Sequence, residues 1–111
     1  MSSDSKQLYF VWAPDYTDPE ALSRRLAVRP KHLEGVRALE EQGTLRAGGA
    51  AVVPPEEIGN ATERKFVGSH LILEAGSLGD VRKIVENDIY YQGNVWDREK
   101  IVIAQYLPLK I

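Results

Sequence analysis

The hydrophobic period of this chain switches from two to about 3.6 and back again, twice, and few folds accept the resulting order of strands and helices. Residues 8–13 (LYFVWA) are aromatic and β-branched and stop at Pro14, which has no amide to donate, so they predict a first strand. Asp18-Pro19-Glu20 predicts a helix start, with Asp18 accepting from the orphan amides and Pro19 at the first helical position. Leu22 and Leu26 continue it. Pro30 then predicts an end or kink near Val28 and a restart through Leu33, Val36 and Leu39, closed at Gln42-Gly43. A modest second strand is expected at 44–48, where Gly48-Gly49 allows another backbone to come close. Residues 52–65 carry Pro54-Pro55 and Gly59-Asn60 and no period, and predict a long loop. A third strand spans 66–75. Ser77 caps a second helix with Leu78, Val81, Ile84 and Val85 on one stripe, broken at Asn87-Asp88. An irregular aromatic-rich connection fills 89–96, and 99–107 reads as the last strand.

The order β-α-β-β-α-β is the split βαβ arrangement, an α+β ferredoxin-like fold with a four-stranded antiparallel sheet and both helices on one face. Both faces of the sheet are substantially apolar, so the uncovered one is too: Val102, Ala104 and Tyr106 alternate with Ile101, Ile103 and Gln105, and Leu71, Leu73 and Ala75 with His70, Ile72 and Glu74. Something must bury it. A second copy stacking by a two-fold axis, giving a homodimer through the open sheet face, is the favoured cover, and the tail at 107–111 folding back is the other.

At 111 residues and 43% hydrophobic content the chain suits one domain over 1–111, with a core from about 7 to 107. A net charge of −2 with no basic block argues against nucleic acid. The absence of cysteine excludes disulfides, thiolate zinc and a thiol nucleophile, and fits a reducing cytoplasmic setting. The apolar run at 8–13 is too short for a signal core or a membrane span. Asn60-Ala61-Thr62 matches a glycosylation acceptor, a triplet that matters only on a secretory route. No phosphate loop, nucleophile elbow or cofactor fingerprint is present, so no cofactor is expected.

Only His32 and His70 start near neutral pH as titrating side chains. They lack ligand spacing, so no metal site is expected. A lone histidine after Pro30 is by itself more often a structural hydrogen-bonder than a catalyst. The wider sequence adds to this. RLAVRPKHL at 25–33, Leu39 through Gln42-Gly43-Thr44-Leu45 to Ala47-Gly48, Gly68-Ser69, Ala75, Ser77 and Asn87-Asp88-Ile89-Tyr90 with Gly93 together closely resemble the YCII family across nearly the whole domain.

The resemblance implies a dimeric α+β barrel and an active site of one histidine and one aspartate, here His32 and Asp88. Members similar to this pattern include an enzyme that removes chloride from a hydroxyquinol-type ring-breakdown product. Relatives with the same barrel include muconolactone isomerases, and most members have no assigned reaction. The family's proline after the aspartate is replaced by Ile89, a change in the turn that aims Asp88.

A carboxylate accepting from one imidazole nitrogen fixes the tautomer, favours the charged ring and frees the other nitrogen to move a proton. On that reading His32 is the general acid/base, Arg25 and Arg29 hold a substrate carboxylate, and Ser69 supplies a hydroxyl. Each has a plainer alternative. The two arginines can pair with Glu20 or Glu34 on the surface, Asp88 can cap the Ile89-Tyr90-Tyr91 turn, and Ser69 can be a strand-edge residue. Trp12, Tyr90, Tyr91 and Trp96 fill the core and dimer seam or wall a pocket for a planar substrate. The function expected is cofactor-independent acid/base chemistry, of lyase, isomerase or dehalogenase type, on a small carboxylated or lactone-like molecule. The rival is a non-catalytic ligand-binding or accessory dimer.

Overall fold

The structure, a computed structural model, describes residues 5–59 and 64–110. The Asn60-Ala61-Thr62 triplet and the last residue of the tail lie outside them.

Four strands form one antiparallel sheet in the order β2-β3-β1-β4. The aromatic-rich strand β1 (Gln7–Pro14) takes an inner place and pairs along its whole length with β3 (Phe66–Ala75), from Gln7 opposite Ala75 to Pro14 opposite Gly68. β2 (Leu45–Val52) borders β3, and β4 (Val102–Gln105) borders β1. Helices α1 (Ala21–Glu41) and α2 (Leu78–Asn87) cover one face, followed by a single turn, α3 (Ile89–Gln92). Period-two alternation sends Val11, Ala13, Leu71, Leu73 and Ala75 into that helical layer, where Val81, Val85, Tyr90, Val95 and Trp96 meet them.

The structure departs from the sequence reading at five places. Helix α1 does not stop at Val28, and Pro30 lies inside it. The proline deletes one amide donor, the partner of the Leu26 carbonyl, and both Leu26 and Pro30 face solvent where water can take that bond. The buried Arg25 and His32 on the opposite side hold the two halves in one register. The helix begins at Ala21, because Asp18 accepts from the Glu20 amide at 3.2 Å in the turn before it. Arg24 grips the same carboxylate at 2.7 and 2.8 Å and holds its pKa down to about 2.

β2 runs on through Gly48-Gly49 to Val52, shortening the expected loop, which contains a 3-10 turn at Pro55–Glu57. The close approach that Gly48 permits is to β3: a Cβ there would lie 3.2 Å from the His70 carbonyl oxygen and 3.1 Å from the Leu71 side chain. The stretch after Asp88 is helical because that carboxylate caps it. The last strand is only Val102–Gln105, since Asp97 accepts from the Glu99 amide and starts a 3-10 turn at Arg98–Lys100.

The second face of the sheet carries Phe10 and Trp12, with cross-strand partners Ile72 and Ala104, and His70 and Val102. The tail does not fold back over it: Leu107 and Leu109 are 78% and 85% exposed.

Candidate functional site

Asp88 ends α2 and caps α3 in extended backbone. Its Oδ1 accepts from the Tyr90 amide at 2.8 Å and lies 2.8 Å from Nδ1 of His32. The cap and the imidazole contact therefore coexist on one oxygen, and Ile89 occupies the first helical position without displacing either. An ionised carboxylate only accepts, so it assigns the Nδ1 position a proton in the neutral ring and leaves Nε2 with a free lone pair. Among the described residues Nε2 has no hydrogen-bond partner. The ring is fixed further by Tyr90, stacked on it at 3.7 Å between centroids and 7° between planes, and by Trp96, edge-on at 6.1 Å.

His32 stands between two cavities. One, of about 240 Å³, is lined by Arg25, Arg29, His32, Ser69, Tyr90 and Phe66, with Gly48-Gly49-Ala50 of β2 along one wall. The other, of about 490 Å³, lies between α1 and α2 and holds Asp88, Lys31, Glu34 and Asn87. Asp88 lines the larger of these two cavities and not the smaller. A further hollow, of about 720 Å³, opens beside Tyr16, Leu22 and Val67 and is lined by neither histidine. The smaller cavity has the stronger chemical case, because a base and several hydrogen-bond donors share its wall.

Arg25 does not form the surface pair with Glu20 or Glu34 that was its plainer alternative. It is 3% exposed, and its Nη1 donates to both Asp15 oxygens at 2.8 Å. Nη2 donates to Ser69 Oγ at 3.4 Å, and the guanidinium packs between the Phe66 and Tyr90 rings at 4.6 and 4.8 Å. Burial pushes the Asp15 carboxyl up, against the pull of Arg25. Arg25 Nε is buried with no partner among the described residues. Nor does Ser69 sit on an exposed edge: it is buried, and the indole N–H of Trp96 also donates to its Oγ, at 3.2 Å. Arg29 is exposed, makes no ion pair among the described residues, and borders the cavity with its charge free. His70 projects from the other face beside Phe10, at 6.4 Å between rings, away from His32. Among the described residues no group of three or more His, Cys, Asp or Glu side chains is placed to hold a metal ion.

Four of the five expected residues, Arg25, Arg29, His32 and Ser69, meet around one cavity, with Asp88 behind His32. Asp15 and the Trp96 indole N–H went unread. The available signal for Asp15 was an acid directly after the strand-ending Pro14, facing an arginine in the first turns of the next helix. A buried arginine needs such a partner.

The model of the YCII-related domain matches residues 8–104. The chain is 36% identical over 85 residues to "Derivative of benzaldehyde biosynthesis cluster protein C" of Emericella nidulans, covering 76% of this chain and 85% of that one. It is 30% identical over 94 residues to protein YciI of Escherichia coli, covering 85% and 92%. Among solved structures, 5-chloro-2-hydroxyhydroquinone dehydrochlorinase of Burkholderia phenoliruptrix, in complex with 2,5-dihydroxybenzoquinone, superposes with a TM-score of 0.72 at 24% identity, over 90% of this chain and 93% of that one. This last likeness speaks for the fold.

Proposed function

The chain belongs to the YCII-related domain family, and from that premise we propose that it is a cofactor-independent enzyme moving a proton on a small organic molecule, with His32 as general acid/base and Asp88 as its orienting partner. The observation that carries the reading is the 2.8 Å contact from Nδ1 to Asp88, which leaves Nε2 free as a base on a ring that lines a cavity whose other polar groups are mainly donors. In the step proposed, a C–H or O–H bond next to a carbonyl breaks and its proton goes to Nε2. The electron pair moves into the carbonyl system and the charge collects on oxygen, where Arg29 and Ser69 face it. Asp88 keeps its place and stabilises the imidazolium. At about 240 Å³ the cavity is smaller than the ~300–1,000 Å³ of drug-sized sites, which favours a single-ring or shorter substrate. The names of the relatives, a biosynthesis-cluster protein and a dehydrochlorinase, also point to small molecules. The test is deuterium exchange. Incubated in D₂O with a panel of small carbonyl acids and lactones, the protein is expected to exchange an acidic proton of at least one. No exchange across the panel, with tight binding of some member, would favour a non-catalytic binding module.

We take residues 7–107 as one folding unit acting in the cytoplasm, which the lack of cysteine suits. No helix among the described residues is long and apolar enough to cross a membrane. The working form in this reading is a homodimer through the face bearing Phe10, Trp12, Ile72 and Val102, the last of which is 50% exposed in the single chain. Sedimentation should give twice the 12.4 kDa chain mass, and Ile72→Glu should shift it to the monomer by placing a charge in the seam. A monomeric wild type at micromolar concentration would contradict the dimer.

A further inference from the structure

The hydrogen-bond inventory of the 240 Å³ cavity is lopsided, and Tyr90 and Ser69 make it so. A serine hydroxyl has two lone pairs and one hydrogen. At Ser69 the lone pairs face Arg25 Nη2 at 3.4 Å and Trp96 Nε1 at 3.2 Å, both donors. What remains is the hydroxyl hydrogen, which has no acceptor among the described residues. Ser69 is therefore committed to donating.

Tyr90 is 1% exposed, with one ring face against the His32 imidazole and the Arg25 guanidinium close to the ring. Its hydroxyl has no hydrogen-bond partner among the described residues, and the side chain lines this cavity. Burial pushes its phenol up, and the charges acting on it are Arg25 and Arg29 ahead of Asp88 and Asp15. It keeps its proton at neutral pH and can donate it in a hydrogen bond. Arg29 has no acceptor at all. The cavity thus offers donors from three side chains and one base, Nε2.

A carboxylate arrives already ionised and needs no base. A base set among donors fits a molecule that enters neutral and becomes charged on oxygen once its proton has left. We propose that Ser69 and Tyr90 form a two-donor cradle for an enolate or phenolate oxygen, so that the cavity holds the ionised form of a weak carbon or oxygen acid in preference to the neutral form. This rests on the reading of the cavity as the substrate site and adds Tyr90 to it as an oxyanion donor.

The probe is 4-nitrophenol, whose visible absorption reports phenolate, with 4-nitroanisole as a control of similar shape that cannot ionise. In the full-length protein the bound phenol is expected to ionise at a pH about one unit below that of the free probe. Tyr90→Phe keeps the ring stack and should weaken phenolate binding about tenfold, the usual scale for a hydrogen bond to a charged group, while changing 4-nitroanisole binding less than twofold. Ser69→Ala should do the same. Because that change strands the Trp96 and Arg25 donors, Tyr90→Phe carries the test if Ser69→Ala melts early. Unchanged phenolate preference in a folded Tyr90→Phe overturns the cradle and leaves the proton-transfer reading standing. A wild type that exchanges protons from a substrate but does not favour phenolate also overturns the cradle alone. Failure of both exchange and probe binding overturns both.

Discussion

Replacing His32 with glutamine is expected to lower turnover by about 10²–10⁴-fold, the range for loss of a positioned general acid/base. The informative companion is Asp88→Asn. Asparagine is as good a helix cap as aspartate, so the Tyr90 amide keeps its acceptor, the 2.8 Å bond that starts α3 survives, and stability should change little. The charge facing Nδ1 is lost, however: the amide oxygen still accepts from Nδ1–H, but it no longer stabilises the imidazolium as a carboxylate does. Turnover should fall about 10–100-fold, the scale of a hydrogen bond to a charged group. If Asp88 served only as the cap of the short helix, asparagine would be silent in both stability and rate. Asp88→Ala removes both roles and should add the loss of a cap, about 1 kcal/mol, to the loss of rate.

Arg25→Leu is expected to destabilise the fold by about 3–5 kcal/mol, the usual effect of removing one partner of a buried ion pair. The Asp15 side chain is 7% exposed, so it would remain as an uncompensated buried charge. Thermal melting should show this as a drop of roughly 10–20 °C. Asp15→Leu in the same background should recover part of the loss, because the desolvated charge is then gone. The pH dependence has a definite sign. Burial already raises the Asp15 carboxyl above its ordinary 3.8, and loss of the arginine raises it further. A carboxyl raised in the folded state binds its proton more tightly there, so its contribution is favourable at low pH and is lost as pH rises through the raised value. The deficit of Arg25→Leu should be largest at neutral pH and shrink as the pH falls toward 3.8. A deficit constant across that interval would mean that Asp15 stays ionised, reached by water.

What the sequence made legible followed from local rules. The bounds of β3 came from its alternation, the Ser77 cap from the run that follows it, and the end of α1 from Gly43, whose φ of +80° suits glycine. The placing of His32, Arg25, Arg29 and Ser69 on one cavity was accessible through the ordered motifs, since α1 and β3 bring those motifs side by side. Elsewhere tertiary contacts outweighed local signals. Pro30 reads as a break only until one sees that its side of the helix is wet and that Arg25 and His32 anchor the other side. Residues 89–92 lack the length to read as a helix, and one turn forms there because a single carboxylate serves both its cap and an imidazole from a distant helix. Residues 99–101 looked like strand from composition, yet the Asp97 side chain diverts the chain into a turn. Asp15 was unreadable for a related reason: its role depends on an arginine ten positions away being buried, which the weak amphipathic pattern of α1 conceals.

The proposed chemistry requires the imidazole to be held at Nδ1 with Nε2 left open toward the cavity. Nitrogen-15 NMR of the two ring nitrogens measures this directly. At a pH where the ring is neutral, His32 should give a protonated, hydrogen-bonded Nδ1 with its proton far downfield, and an Nε2 with the shift of an unprotonated nitrogen. Asp88→Asn should keep that asymmetry but move the Nδ1 proton upfield, because a neutral oxygen replaces the carboxylate. A wild-type ring carrying its proton on Nε2, or averaging freely between the two forms, would contradict the account, because the nitrogen on the cavity would then be occupied or unheld.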